Sequence, residues 1–345
     1  MKLIVQIPAY NESATIGEVV RAIPRHMPGI TCVEVLVIDD GSSDDTATVA
    51  LANGADHIVR HIGNKGLAAA FQTGIDTALR LGADVIVNTD ADHQYPGDQI
   101  VKLVEPIVER RAEYVIGDRQ VDQIEHFSFL KKQLQRLGSK VVRLASGTDV
   151  PDSVSGFRAL TREAALRMFV TTDFSYTVEN LIQAGKKRLT IATVAITTNP
   201  PTRPSKLANS TWAFIKRQAS TIVRTYMIYE PLKSFSYLAA PFLLIGTALL
   251  LRALYVYVAR NFGTEASNDQ ALVGGSVLFI SGVLIFITGI LADGLRSMRR
   301  LQEENLYRQR KAEIETEQWR AEIDQRMTQI EQTVEEREFE RTRER

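Results

Sequence analysis

Asp90-Ala91-Asp92 follows the apolar run Val85-Ile86-Val87 with only Asn88-Thr89 between. Two carboxylates at i and i+2, just past the end of a buried strand, form a compact set of hard oxygen donors. Mg²⁺ or Mn²⁺ is held by one or two such carboxylates, and substrate phosphates fill its remaining positions. An ion placed there neutralises the charge that builds on a departing diphosphate. Gln94, two residues on, offers a further oxygen. An isolated Asp-x-Asp means little, because such pairs arise by chance on surface loops.

Other polar clusters accompany this one. The first apolar run, Leu3–Ile7, ends in Pro8-Ala9-Tyr10-Asn11-Glu12-Ser13. The second, Val33–Ile38, ends in Asp39-Asp40-Gly41-Ser42-Ser43-Asp44. An acid at a strand tip can accept bonds from a base or a ribose, and the Gly-Ser turn lets backbone approach a ligand. Ser43 and Asp44 suit capping of the next helix; Asp39 and Asp40 precede the turn and do not. Gly63-Asn64-Lys65-Gly66 opens a third helical pattern, and a helix start is a ready anion or phosphate site. Its spacing is not that of a Walker loop. Gly117-Asp118-Arg119 follows the run Tyr114-Val115-Ile116, where Arg119 can reach a phosphate or ion-pair inside the domain.

These clusters need a scaffold that gathers strand ends. The chain has 345 residues with 41 basic and 41 acidic side chains, and a balanced charge argues against coating nucleic acid. Strands are expected at Leu3–Ile7, Val33–Ile38, His57–Val59, Val85–Val87 and Tyr114–Ile116, with helices at 13–25, 44–53, 66–81 and 98–111. Strand–helix alternation with nearly continuous apolar strands predicts an α/β domain with a mostly parallel sheet covered on both faces. Ligands in such sheets bind beyond the carboxyl ends of the strands, where every cluster above lies. The lone cysteine, Cys32, is expected to be a buried inert thiol. Met1-Lys2-Leu3 runs directly into strand pattern, with no secretory leader, so the first domain is expected in the cytoplasm.

The composition changes after about residue 205. Residues 206–233 interleave Trp212, Phe214, Ile215, Tyr226 and Met227 with Lys206, Lys216, Arg217, Arg224 and Lys233, which fits an amphipathic segment on a membrane surface. Residues 234–258 and 271–292 are each long and apolar enough to span a bilayer core of about 30 Å. Basic residues flank the pair, whereas the connecting loop 259–270 carries Glu265 and Asp269; both flanks are therefore expected in the cytoplasm. Residues 296–345 hold no Gly or Pro and are densely charged, which predicts a long solvated helix. Ile323, Met327, Ile330 and Val334 follow a 4-3-4 spacing that could seed self-association, as could the spans.

In this order the segments resemble family 2 glycosyltransferases of the nucleotide-sugar-binding GT-A type. They are more closely similar to the polyprenyl-phosphate glycosyltransferases, the dolichyl-phosphate mannose synthases among them. The resemblance covers about residues 1–233 and rests on Pro8–Glu12, Asp39–Ser42, Asp90–Gln94, Ser155-Gly156-Phe157-Arg158 and Arg203-Pro204-Ser205-Lys206. It implies a GT-A domain at 1–205, the surface segment 206–233, two transmembrane helices within 234–294 and the charged tail 295–345. It implies nucleotide-sugar contacts from Pro8, Ala9, Tyr10, Glu12, Asp39 or Asp40, Lys65, Asp90 and Ala91. Asp90, Asp92 and Gln94 would form the metal and sugar-diphosphate site. Arg119, Arg203 and Lys206 would bind phosphate, and Asp152, Ser155 and Arg158 would lie on the acceptor side, with Asp92, Arg119 and Arg158 carrying catalysis. The stretch between Arg203 and Lys206 is shorter than in the mannose synthases.

The implied reaction is inverting transfer of a sugar from a nucleoside-diphosphate sugar to an undecaprenyl or dolichyl phosphate. Such a nucleophile is already anionic near neutral pH, so no Ser/His/Asp or Cys/His triad is needed, and none is found. His93, beside the acidic pair, is expected to be structural. Two other classes are weighed. A processive polysaccharide synthase needs more spans and a longer acceptor channel. A membrane scaffold with a degenerate domain would not need the intact Asp90, Asp92 and Arg119.

Overall fold

The computed structural model describes residues 1–120, 142–143, 146–170, 176–200, 220, 223–224, 226–260 and 269–343. They divide into two units, one of residues 1–221 and 305–345 and one of residues 222–304.

The first unit is built on strands β1 (Lys2–Ala9), β2 (Cys32–Asp39), β3 (His57–Arg60), β4 (Val85–Asn88), β5 (Tyr114–Asp118), β6 (Arg158–Thr161) and β7 (Ile191–Ala195). They form one sheet in the order β3-β2-β1-β4-β6-β5-β7. Only β6 is antiparallel, to β4 on one side and β5 on the other. All five strands expected from the sequence are present. β6 (Arg-Ala-Leu-Thr) and β7 (Ile-Ala-Thr-Val-Ala) were not expected, because neither contains a run of three bulky apolar residues like Val85–Val87 or Tyr114–Ile116. β6 begins at Arg158, in a segment assigned above to an acceptor loop.

Helices α1 (Ile16–Ala22), α2 (Thr46–Ala52), α3 (Leu67–Arg80), α4 (Ile100–Val108), α5 (Arg162–Arg167) and α6 (Tyr176–Lys186) accompany the sheet. One face of β1 and β2 presents Leu3, Val5, Ile7, Val33, Val35 and Val37 to a core shared with α1 and α4. α3 packs on the other face, where Phe71 and Ile75 are fully buried. Burial of such a side chain stabilises the fold by about 1.5–3 kcal/mol. The approach of α3 requires Gly74: an added Cβ would sit 2.4 Å from Gln6 Oε1 and 2.8 Å from Ile38 Cδ1. Cys32 departs from expectation. It opens β2 on the same face as the half-buried Glu34, where the start of the strand meets solvent, and is exposed.

In the second unit, helix α7 (Pro231–Arg260) and the first part of α8 (Asp269–Arg343) are long and apolar enough to cross a membrane. They contain the two expected spans. Gly275, Gly282 and Gly289, seven residues apart, let the helices approach: added Cβ atoms would meet Leu249, Leu243 and Phe235 within 2.9 Å. Small residues at such crossings allow the van der Waals packing that holds helices together in lipid. Beyond the apolar stretch, Arg299 pairs with Glu303 at 3.0 Å and stacks over Tyr229 at 5.5 Å.

α8 is unbroken for 75 residues. Its last stretch, from residue 305, belongs to the first unit; there Ile323, Met327 and Ile330 are exposed and Ile314 is buried.

Candidate active site

The carboxyl ends of β1, β2, β4 and β5 deliver the expected clusters to one edge of the sheet. β1 lies between β2 and β4, where the strand order reverses direction, and this is where open α/β sheets form ligand crevices.

At the end of β1, Pro8 and Ala9 are buried within the sheet and Tyr10 is exposed. Asn11 takes a left-handed φ of 52° and ties this turn to the next: its amide donates to Ser42 Oγ at 2.9 Å, and its Oδ1 accepts from Ser43 N at 2.9 Å. Glu12 is buried, and its amide donates to Thr46 Oγ1 at 2.9 Å. Asp44 accepts the first amide of α2, from Thr46 at 3.1 Å, and that of Ser13 at 3.2 Å. The N-cap position itself is Asp45, so Asp44, one residue earlier, satisfies the first amide of α2 from outside the cap, while Ser43 serves Asn11.

Asp39 and Asp40 separate cleanly. Asp40 accepts from His61 Nδ1 at 2.7 Å, Lys65 N at 2.9 Å and Gly66 N at 2.8 Å. His61 is itself buried, with Nε2 3.0 Å from Thr73 Oγ1. Asp40 therefore occupies the anion position at the start of α3, which the sequence had suggested for a phosphate. Lys65 offers its exposed side chain rather than its amide. Gly41, at φ 73°, is what lets the two turns interlock: a Cβ there would lie 2.5 Å from the Gly63 carbonyl carbon. Asp39, by contrast, accepts from Ser42 N with Oδ1 at 2.9 Å. Its buried Oδ2 lies 3.1 Å from Arg60 Nε with no aligned hydrogen bond. Of the two acids, Asp39 keeps capacity for a ligand.

Asp90 and Asp92 meet at the end of β4. Burial and then the Asp92 charge push the Asp90 carboxyl up to about 7, against the opposing pull of Arg119 and Arg158. Gly156 forms the wall facing it: an added Cβ would stand 3.0 Å from both Asp90 Oδ1 and Tyr176 Oη. Asp92 Oδ1 accepts from Gln94 N at 3.1 Å, and Gln94 O accepts from Asn199 N at 2.9 Å. Thr15 Oγ1 donates to Ala91 O at 2.8 Å, fixing the motif to α1. Among the described residues no group of three or more His, Cys, Asp or Glu converges. The donor set is thus two carboxylates in mutual repulsion beside a cradle without a side chain. It fits a divalent cation that takes its remaining oxygens from a ligand.

Arg119 forms a fork with Asp152, Nε to Oδ2 at 2.6 Å and Nη2 to Oδ1 at 2.9 Å. Burial would raise the Asp152 carboxyl, but Arg119 holds it below the usual range. Of the two roles open to Arg119, the structure thus records the internal ion pair. Arg158 is fully buried. Its nitrogens donate to the carbonyls of Ser155 (2.7 Å), Thr177 (2.7 Å) and Ser153 (3.0 Å) and to Tyr114 Oη. Ser155 is likewise buried. Arg203 and Lys206 lie outside the described residues.

Sequence reasoning missed the layer beneath the acidic pair. Asn88 donates to Gly156 O and to Tyr176 Oη, both at 2.8 Å, and accepts from Gln6 Nε2 at 2.9 Å. Tyr176 stacks on Phe71 at 3.8 Å and Tyr95 on Phe157 at 4.8 Å. One signal was legible: Gln6 and Asn88 are polar residues inside otherwise apolar strands, and buried polar groups need partners. Tyr176 carried none.

Fold and site together define a nucleotide-sugar-type α/β domain with an acidic pair at its switch point. The profile described as Glycosyl transferase family 2 matches residues 4–169. A UDP-N-acetylglucosamine–dolichyl-phosphate N-acetylglucosaminyltransferase from Methanococcus voltae is 33% identical over 213 residues, 56% of this chain and 83% of that protein. An undecaprenyl-phosphate mannosyltransferase from Micrococcus luteus is 31% identical over 169 residues, 46% and 66% of the two chains. Among solved structures, the glucosyl-3-phosphoglycerate synthase of Mycobacterium tuberculosis, crystallised with Mn²⁺, UDP-glucose and phosphoglyceric acid, superimposes with a TM-score of 0.52. It is 23% identical, covering 65% of this chain and 79% of that one, and supports the GT-A-like fold. The chain belongs to glycosyl transferase family 2 and is a glycosyltransferase.

Proposed function

We propose that this enzyme moves a hexose or N-acetylhexosamine from a nucleoside-diphosphate sugar to a polyprenyl phosphate at the cytoplasmic face of a membrane. The relatives named above support the lipid-phosphate acceptor, and the two apolar helices support a membrane setting. The observation that carries the reading is the Asp90–Asp92 pair, in which burial and then the Asp92 charge raise the Asp90 carboxyl to about 7.

In the reaction an oxygen of the lipid phosphate forms a bond to the anomeric carbon from one face. The bond from that carbon to the diphosphate breaks on the other, inverting the centre and releasing a nucleoside diphosphate. The acceptor phosphate is largely ionised near neutral pH, so no proton need be removed by a base. Asp39, Tyr10 and Glu12 line the nucleoside end, and Lys65 is available to the diphosphate. Asp90 and Asp92 would hold a Mg²⁺ or Mn²⁺ ion, with Gln94 adjoining. That ion would neutralise the leaving diphosphate. Arg119 adds positive potential at Asp90, although its fork is occupied by Asp152. Arg158 holds the carbonyls of the 153–155 turn, and so acts through position rather than contact. The segment 206–233 would hold the domain at the headgroups, where a polyprenyl tail remains in lipid and its phosphate stands at the surface.

The test is a donor screen on detergent-purified protein with polyprenyl phosphate, followed by Asp92→Asn. The variant is expected to lose about 10²-fold or more in turnover, the usual scale for losing charge stabilisation of a transition state. Full turnover by the wild type in excess EDTA, or unchanged turnover in the variant, would remove the metal-assisted mechanism.

A further inference from the structure

The stretch of α8 from Tyr307 to Gln318 packs on α3 and α5, more than 140 residues away in sequence. Its centre is Arg310. Nη1 donates to the carbonyls of Ala165 (3.3 Å), Leu166 (3.5 Å) and Met168 (3.2 Å). These belong to the last turn of α5 and the residue after it, where carbonyls lack helical partners and a cation is favoured. The same guanidinium pairs with Asp76 of α3 and lies 5.2 Å from the Phe169 ring. Tyr307 donates to Glu163 at 2.8 Å, Gln318 to Leu79 O at 3.2 Å, and Arg162 to Gln318 at 3.2 Å. Ile314 is 3% exposed.

The corner that Arg310 holds leads to the site along two elements. Phe169 N donates to Gln183 Oε1 of α6 at 3.3 Å, and Phe169 O accepts from Gln183 Nε2 at 2.5 Å. Val170 N donates to Gln72 of α3 at 3.0 Å. α6 begins with Tyr176, and α3 carries Phe71, which stacks on it. Tyr176 in turn donates to Gly156 O at 3.3 Å, and Gly156 walls Asp90. One helix, α3, thus bears the ring that backs the site and, five residues on, the acid that receives the tail.

We infer that the docked segment Tyr307–Gln318 is a positioning element for the reaction. It fixes the 165–170 corner and, through α3 and α6, the Phe71–Tyr176 stack behind Asp90. The inference rests on the transfer reading above only for its kinetic readout.

The test uses the full chain in detergent, Arg310→Ala, Met327→Ala as a control, and a chain ended after Glu304 with and without an added peptide of residues 305–330. Hydrogen exchange is followed at 88–95, 168–170 and 176–183. Arg310→Ala and the shortened chain are expected to lose protection in all three segments, and the peptide to restore it. Turnover is expected to fall about fivefold or more, the lower range of coupling between sites, with the donor KM within about twofold. Met327→Ala should match the wild type. Unchanged exchange at 88–95 and 176–183 in a folded Arg310→Ala protein would overturn the inference, as would unchanged turnover. Should Arg310→Ala not fold, Tyr307→Phe, which removes one hydroxyl, is expected to give the same pattern on a smaller scale; no change there would be equally adverse. A wild-type chain inactive with every donor would instead defeat the transfer reading, and the exchange data would still decide the inference.

Discussion

A single proton on Asp90 gives this site its pH dependence. A free Asp carboxyl titrates at 3.8, and in the folded chain Asp90 titrates at about 7. Between those values the folded state keeps a proton that the unfolded state has lost. Stability from this group is therefore greatest at low pH and declines as pH rises towards 7, by at most about 1.4 kcal/mol per pH unit. A divalent cation competes with that proton, so its binding should strengthen over the same range and level off above it. Thermal unfolding at pH 5, 6, 7 and 8, with and without Mn²⁺ and UDP, is expected to show a metal-dependent gain that grows up to pH 7 and then flattens. A gain independent of pH would mean that Asp90 does not meet the ion. The acidic pair was legible in the sequence because its spacing is local. That Asp39 rather than Asp40 keeps ligand capacity was not, since the difference comes from His61, Lys65 and Gly66, at least 21 residues further on.

At the scale of elements, β1, β2, β4 and β5 could be read because their residues are buried and nearly all apolar, and β3 because Ile58-Val59 falls between two helical patterns. β6 was missed: its register is set by its neighbours β4 and β5 rather than by its own four residues. The same reasoning explains the turn before α3. Its shape comes from the Asp40–His61–Thr73 contact, which no local pattern encodes. His61→Asn keeps a donor close to the position of Nδ1, whereas His61→Ala leaves the Asp40 carboxylate short of one partner. Loss of a hydrogen bond to a buried charge costs about 1.5–3 kcal/mol. His61→Ala is therefore expected to unfold at lower urea concentration and to show a raised donor KM, with His61→Asn nearer the wild type in both. Equal behaviour of the two variants would show that the ring's size matters and its bond to Asp40 does not.

For the whole molecule, the apolar half follows its own rules. Gly282 faces Leu243 so closely that an added Cβ would stand 2.8 Å from Leu243 Cγ. Gly282→Leu is expected to separate α7 from α8 and speed proteolysis of the detergent-solubilised protein, while leaving UDP-dependent thermal stabilisation intact. Loss of that stabilisation would show that the two halves do not act independently. The spans were the plainest reading in the sequence, because about 20 consecutive apolar residues need no tertiary context to be recognised. The return of α8 onto α3 and α5 was hidden, since its densely charged sequence looks like a solvated helix and, among the described residues of the tail, Ile314 alone is deeply buried.

That return has a consequence for biosynthesis. The catalytic half is drawn from both ends of the chain, residues 1–221 and 305–345. A ribosome adds about 5–20 residues per second, and domains fold as their pieces emerge. The piece that closes the corner beside Met168 is translated only after both apolar helices. The nascent enzyme therefore waits, with Asp76 lacking its Arg310 partner and the end of α5 open, until its hydrophobic hairpin has been made.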